Sequence, residues 1–145
     1  MVSLDERFTQ ALQGGARAWR AALERYLKSC GITPAGWNAV AAVAGAQQAP
    51  SQRQLAEQLG VDGATLVATI DRLVAAGLVE RMPSQHDRRV KLVVLTAQGK
   101  ALALQVGQQS ALLRRAIAER IDAGRIAAAS DVLEELQTIL EGASA

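Results

Sequence analysis

GLVERMPSQHDRRVKLVVLTAQG, from Gly77 to Gly99, is the stretch from which the rest of the chain takes its meaning. Two short apolar runs, Leu78 to Met82 and Val90 to Leu95, flank a polar tip, Pro83 to Arg89, that carries Pro, Ser, Asp and two adjacent arginines. Short apolar runs bounded by turn-forming residues predict a β-hairpin, here with a basic loop.

Upstream, two short helical patterns meet at Gly60. Ser51-Gln52-Arg53-Gln54 matches a capping box, in which the Ser and Gln side chains satisfy each other's backbone donors. Leu55, Ala56 and Leu59 then give a short helix its inner face. Gly60-Val61-Asp62 predicts the turn, with Gly60 suited to a left-handed conformation and Asp62 placed to cap a second helix. That helix is expected from about Gly63 to Ala76, with Leu66, Ile70, Leu73 and Val74 facing inward. Thr65, Val67, Ala68, Asp71 and Arg72 are left on or near its outward side. Helix, turn, helix, hairpin is the order of a winged helix-turn-helix, whose second helix presents its outward side to the major groove of DNA.

The flanking segments are helical by the same spacing argument. Leu4, Phe8, Leu12, Trp19, Leu23, Tyr26 and Leu27 recur at three- and four-residue intervals, predicting a long first helix to about Cys30, ended by Gly31. Gly14-Gly15 in its middle predicts a bend or a close helix contact. Thr33-Pro34 restarts the chain as cap and first helical residue, and Trp37, Val40 and Val43/Ala44 give the second helix a buried face that stops near Gly45. After the hairpin, Thr96 caps a helix with Leu102, Val106, Leu113, Ile117 and Ile121 on one side. Asp122-Ala-Gly124 interrupts it, and Ile126, Ala129, Leu133, Leu136 and Leu140 form a heptad-like seam in a last helix. Helices at both chain ends around a compact middle suggest a helical dimer interface. The fold class expected is mainly α with a small β-hairpin, in one domain over 1–145. A winged lobe would occupy 33–96, with dimerisation helices at 1–32 and 97–145.

Composition narrows the function classes. A chain of 145 residues with 50% hydrophobic residues suits one core of ordinary size, and 3% aromatics leave the packing to Leu, Val, Ile and Ala. The net charge of +2 is compatible with nucleic acid without establishing it. The acidic N-terminus and the lack of an apolar run of about 18 residues point to a cytoplasmic protein without a membrane span. One cysteine and one histidine provide neither a disulfide nor a zinc set, so no metal or cofactor is expected. His86 has no nucleophile beside it in any motif, which argues against an enzyme.

Taken in register, these residues resemble the MarR family of winged-helix regulators. The resemblance runs from Ile32-Thr33-Pro34 through Leu55-Ala56-Glu57-Gln58-Leu59-Gly60, Ile70-Asp71-Arg72-Leu73 and Gly77-Leu78-Val79-Glu80-Arg81. Its most specific piece is Pro83-Ser84 together with Asp87-Arg88-Arg89, Leu95-Thr96 and Gly99. It implies a homodimer whose first, fifth and sixth helices intertwine, and two winged lobes that bind double-stranded DNA at a pseudo-palindromic operator. Release by a small ligand and repression of an adjacent operon are implied as well.

On this resemblance the DNA contacts fall on Ser51 and Gln52, on Thr65, Val67, Ala68 and Arg72 of the fourth helix, and on Ser84, His86, Arg88, Arg89 and Lys91 of the wing. Asp87 would hold one arginine by an ion pair while the other reaches the minor groove, with either assignment open. Val67 and Ala68 depart from the family, which often carries Ser or Thr and Arg at these places. Two outcomes are then open: contacts to thymine methyls with wing-dominated affinity, or a lobe that has lost sequence reading and acts through protein partners. Trp19, Tyr26 and Trp37 are candidates for the pocket of a small aromatic or lipophilic ligand, against plain core packing. Cys30 is a candidate oxidant sensor, against a small buried apolar residue.

Overall fold

The computed structural model describes residues 1–143, so the last two residues of the 97–145 range lie outside the described residues. Six helices and one hairpin run in the order α1 (Leu4–Ser29), α2 (Pro34–Gly45), α3 (Gln52–Leu59), α4 (Gly63–Ala75), β1 (Val79–Pro83), β2 (Lys91–Leu95), α5 (Ala97–Arg120) and α6 (Ala123–Ala143).

Each helix begins at a short oxygen-bearing side chain, because the first backbone N–H groups of a helix have no partner within it. Thr33 Oγ1 accepts from Gly36 N at 3.0 Å, Asp62 Oδ1 from Thr65 N at 2.8 Å and Thr96 Oγ1 from Gly99 N at 3.0 Å. The Ser51–Gln54 capping box is closed in both directions, at 3.1 and 2.9 Å. A second box at Ser3 and Glu6, and Asp122 at the start of α6, complete the set. Gly60 ends α3 in the left-handed region with φ at 67°, which turns the chain into α4 without the Cβ strain another residue would carry.

The chain divides into two compact units, with the boundary after Gly107, inside α5. The first unit holds the core. Val40 of α2, Leu55 of α3, Leu66 and Ile70 of α4, Val79 of β1, Val93 of β2 and Val106 of α5 are all but sealed from solvent. Burial of one such side chain stabilises the fold by about 2 kcal/mol. The hairpin is antiparallel, with Val79 opposite Leu95 and Pro83 opposite Lys91. The loop before α3 docks on it: Val93 N donates to Pro50 O at 2.9 Å, and Ser51 bridges Leu92. The base of the hairpin is tied to α5 by Thr96, whose N–H donates to Leu78 O at 3.0 Å and whose hydroxyl donates to Gly77 O at 2.6 Å.

The second unit holds the later half of α5 and α6. None of its described side chains is buried, and Leu112, Ile117, Val132, Leu133 and Ile139 stand exposed, Ile139 at 66%.

Three sequence expectations change. Val74 is 40% exposed, and the fourth inward position of α4 belongs to Thr69, whose hydroxyl is satisfied by Thr65 O at 3.1 Å. A polar residue can take that place because the i−4 carbonyl is within reach. Gly14-Gly15 leaves α1 unbroken, and among the described residues a Cβ on Gly14 would meet only Arg17 Nη2, at 3.9 Å, and one on Gly15 no atom within 4 Å, so the pair packs against no other helix of the described chain. Trp37 and Ala44 are half-buried and exposed, so the sealed face of α2 consists of Gly36, Ala39, Val40 and Val43.

Gly99 is buried, and a Cβ built on it would lie 2.0 Å from Leu78 O, a backbone atom that cannot step aside. Gly99→Ala is therefore expected to destabilise the protein by about 3 kcal/mol, the upper range of overpacking costs, measured by urea unfolding. A loss below about 0.5 kcal/mol would show that α5 is free to move away from Leu78.

Candidate nucleic-acid interface

The outward side of α4 carries Ala64, Thr65, Val67, Ala68, Asp71 and Arg72, all exposed. Its first turn is fixed by Asp62, which also accepts the Thr65 hydroxyl at 2.8 Å. The Thr65 backbone N–H, and after it that hydroxyl, holds the Asp62 carboxyl below the ordinary carboxylate range. Thr65 therefore faces outward with its hydroxyl hydrogen already engaged.

Asp71 is the one acidic group on this side, and it is answered from the hairpin. Arg81 of β1, only 26% exposed, places Nη2 2.7 Å from Asp71 Oδ1 and 3.3 Å from Val67 O, while its Nε donates to Gln52 Oε1 at 2.6 Å. One guanidinium thus joins the start of α3, the middle of α4 and the first strand of the wing. Its planar fork of donors suits three acceptors at once. Gln52 has its oxygen occupied by this contact and keeps its amide N–H groups. Ser51 has its oxygen occupied by the Gln54 N–H and keeps its hydroxyl hydrogen.

At the wing tip, Ser84 N donates to Val90 O and Val90 N to Asp87 O, both at 2.9 Å, which closes the loop beyond the strands. Ser84 Oγ accepts from His86 N at 3.2 Å. Asp87 accepts from the Arg89 backbone at 3.0 Å and from its guanidinium at 3.2 and 3.3 Å. The Arg89 side chain, then its backbone N–H, keeps the Asp87 carboxyl below its ordinary range. The geometry resolves the alternative that the sequence leaves open: Arg89 is the paired arginine. The Arg88 guanidinium makes no hydrogen bond or ion pair among the described residues, nor do the side chains of Arg72, His86 and Lys91, and all four are exposed.

The remaining candidates sit elsewhere. Tyr26, Trp37 and Cys30 are half-buried and pack on the core, and Trp19 is half-buried on α1. One cavity of the first unit has none of these aromatics in its wall. It is a groove of about 490 Å³ between the end of α2, β2 and the start of α5, lined by Val43, Val93, Leu95 and Ala103 with Gln47 and Lys100 as polar groups. Among the described residues no group of three or more His, Cys, Asp or Glu is placed to hold a metal, and no helix is long and apolar enough to cross a membrane.

A sequence model of the MarR family matches residues 31–90, which contain α2 to α4, β1 and the tip of the wing. The transcriptional regulator PA3341 is 35% identical to this chain, over 93% of it and 98% of its own length, with a TM-score of 0.76. The chain belongs to the MarR family. Wild-type MarR from E. coli, in its apo form, is 27% identical over 94% of this chain and 98% of its own, with a TM-score of 0.73. FabT from Streptococcus pneumoniae, solved in complex with DNA, is 21% identical and shares the fold with a TM-score of 0.85 over 94% of this chain and 97% of its own. The winged helix of this MarR-family chain is accordingly that of a DNA-binding transcription regulator.

Arg81, which joins these elements, has no role assigned from the sequence, where it appears only in the strand run Leu78 to Met82 and in the match Gly77 to Arg81. The signal was present in the strand period. Val79 is buried, Glu80 exposed, Arg81 half-buried and Met82 exposed, so Arg81 occupies an inward position, where a charge requires partners.

Removing the guanidinium leaves the Asp71 carboxylate uncompensated on the outward side of α4. Arg81→Met is expected to weaken binding to duplex DNA, more at low salt than at high salt, because the exposed carboxylate repels phosphate over a screened distance. Arg81→Met combined with Asp71→Asn is expected to recover most of that loss in fluorescence anisotropy titrations. Equal weakening by the single and double variants would instead assign Arg81 a purely architectural part.

Proposed function

We propose that the chain is a homodimeric repressor acting in the cytoplasm. It binds a pseudo-palindromic operator beside its own transcription unit and leaves it when a small aromatic or lipophilic ligand binds. The observation that carries the DNA reading is the pairing pattern at the wing tip. Asp87 fixes Arg89 and the turn, which leaves Arg88 with an unpaired, exposed guanidinium in the loop between β1 and β2. Arginine in that position suits a narrow minor groove, where the negative potential is enhanced. On α4, Thr65, Val67, Ala68 and Arg72 would face the major groove, with Asp71 neutralised by Arg81. Ser51, Gln52, Ser84, His86 and Lys91 would serve the phosphates on either side. Backbone and side-chain donors at helix starts and loops position a protein on the duplex without reading sequence.

Dimerisation is supported by the apolar side chains left in water. Leu4 and Phe8 of α1 and Leu112, Ile117, Val132, Leu133 and Ile139 of the second unit are exposed in the single chain. Exposed apolar side chains in this number on the terminal helices are what a partner surface would cover. Two-fold symmetry would then place two α4 helices about one helical turn of DNA apart, matching a pseudo-palindrome. For ligand release, the groove lined by Val43, Val93 and Lys100 has the size of a small-molecule site. A ligand shifts the equilibrium between lobe spacings only by its difference in affinity for them.

Two measurements test this reading. Binding to the DNA upstream of the gene should weaken linearly in log affinity against log salt. Arg88→Ala should reduce the slope by about 2 for a dimer with one minor-groove contact per lobe, and by more than Arg89→Ala does. A shallow slope unchanged by Arg88→Ala would remove the wing from the interface. Sedimentation should give a dimer, and Leu133→Asp with Ile139→Asp should give a folded monomer with sharply reduced DNA binding. A monomeric parent protein would refute the proposed assembly.

A further inference from the structure

Between α3 and the start of α4 lies a concavity of about 450 Å³ walled by Ala56, Val61, Gly63 and Val67, with the Arg53–Glu57 ion pair, 3.4 Å, at its edge. Val61 and Val67 are 38% and 40% exposed, and α4 continues outward from them with the methyl groups of Ala64 and Ala68. Two aliphatic side chains held in water beside a helix meant for a ligand call for an apolar counterpart.

Between Val61 and Ala68 the polar side chains are Asp62 and Thr65, and both are engaged within the lobe. The Thr65 hydroxyl donates to Asp62, Gln52 Oε1 accepts from Arg81, and Asp71 is paired with Arg81. Bidentate recognition of guanine or adenine by an arginine or an amide is thus not available from Val61 to Ala68. Among the groups on the major-groove edges of the bases, the apolar one is the C5 methyl of thymine. Arg53 at its rim is paired with Glu57, and the unpaired cations of the lobe are Arg72 further along α4 and Arg88 and Lys91 on the wing. An apolar peptide would leave these charges unanswered, whereas duplex DNA supplies phosphates on both sides of its methyl groups.

We infer that the lobe reads thymine through its C5 methyl group, seated in the apolar notch of Val61 and Val67, with Ala68 extending the contact along α4. This rests on the DNA-binding reading above and specifies the base class that the recognition helix selects. 5-Methylcytosine carries the same methyl at the same ring position and fits the notch equally.

The test uses the intact protein and duplexes that it selects from a random pool. Each thymine is replaced in turn by 2′-deoxyuridine, which removes the methyl and keeps every hydrogen-bonding group. At one or two positions per half-site the affinity should fall about fourfold, the effect of exposing one methyl-sized group. Substitution in both half-sites should lower it about fifteenfold. Val67→Ala should weaken the thymine duplex by a similar factor and make deoxyuridine at the matching position cost nothing further. Selective, salt-dependent binding to the selected duplexes with no sensitivity to deoxyuridine would overturn the methyl reading and leave the DNA-binding function standing. A selection that yields no preferred sequence would overturn both.

Discussion

The guanidinium of Arg81 is the contact on which the interface depends. It sits at an inward position of a short strand, largely shielded from water, and is satisfied by a side-chain amide of α3, a backbone carbonyl of α4 and the carboxylate of Asp71. An exposed ion pair contributes little to stability, and Asp71, 62% exposed, brings only that much by itself. The weight of the contact lies in geometry. Burying a guanidinium requires that all its partners stay in place, so the wing strand, the start of α3 and the middle of α4 are held to one arrangement.

The same contact sets the electrostatics of the reading surface. The chain as a whole carries a net charge of only +2, too little to attract a polyanion by itself. The pairing of individual charges matters more. Asp71 is answered by Arg81, and Asp87 by Arg89. Arg72, Arg88 and Lys91 keep their charge for something outside the chain. Asp71 and Asp87 thus shape and fix the lobe, and the unpaired cations stand exposed on α4 and the wing.

Close approach at the hairpin base transmits this order to α5. Leu78 O receives the Thr96 N–H and lies so near Gly99 that no side chain fits between them. The wing and the first turns of α5 share this backbone contact, and Val106 continues the same helix into the core. Beyond Gly107 the chain buries no described side chain of its own. The core of the lobe is therefore contained within 1–107, while Leu112, Ile117, Val132, Leu133 and Ile139 beyond it stay exposed.

Much of this was legible from residue order. Capping residues at Thr33, Ser51, Asp62 and Thr96, the turn at Gly60, and the apolar period of α2 to α4 are local signals, each acting within four residues, so the sequence by itself determined the helix starts, the hairpin and the family. It put Val74 inward and left Thr69 unassigned, because a helical period leaves open which edge of an apolar stripe the core covers. The choice between Arg88 and Arg89 and the work of Arg81 belonged to the tertiary structure. Asp87 reaches Arg89 through the turn geometry, and Arg81 meets Gln52 across 29 residues of chain. Charge partners separated that far are fixed by how strand and helices pack, and no local pattern encodes them.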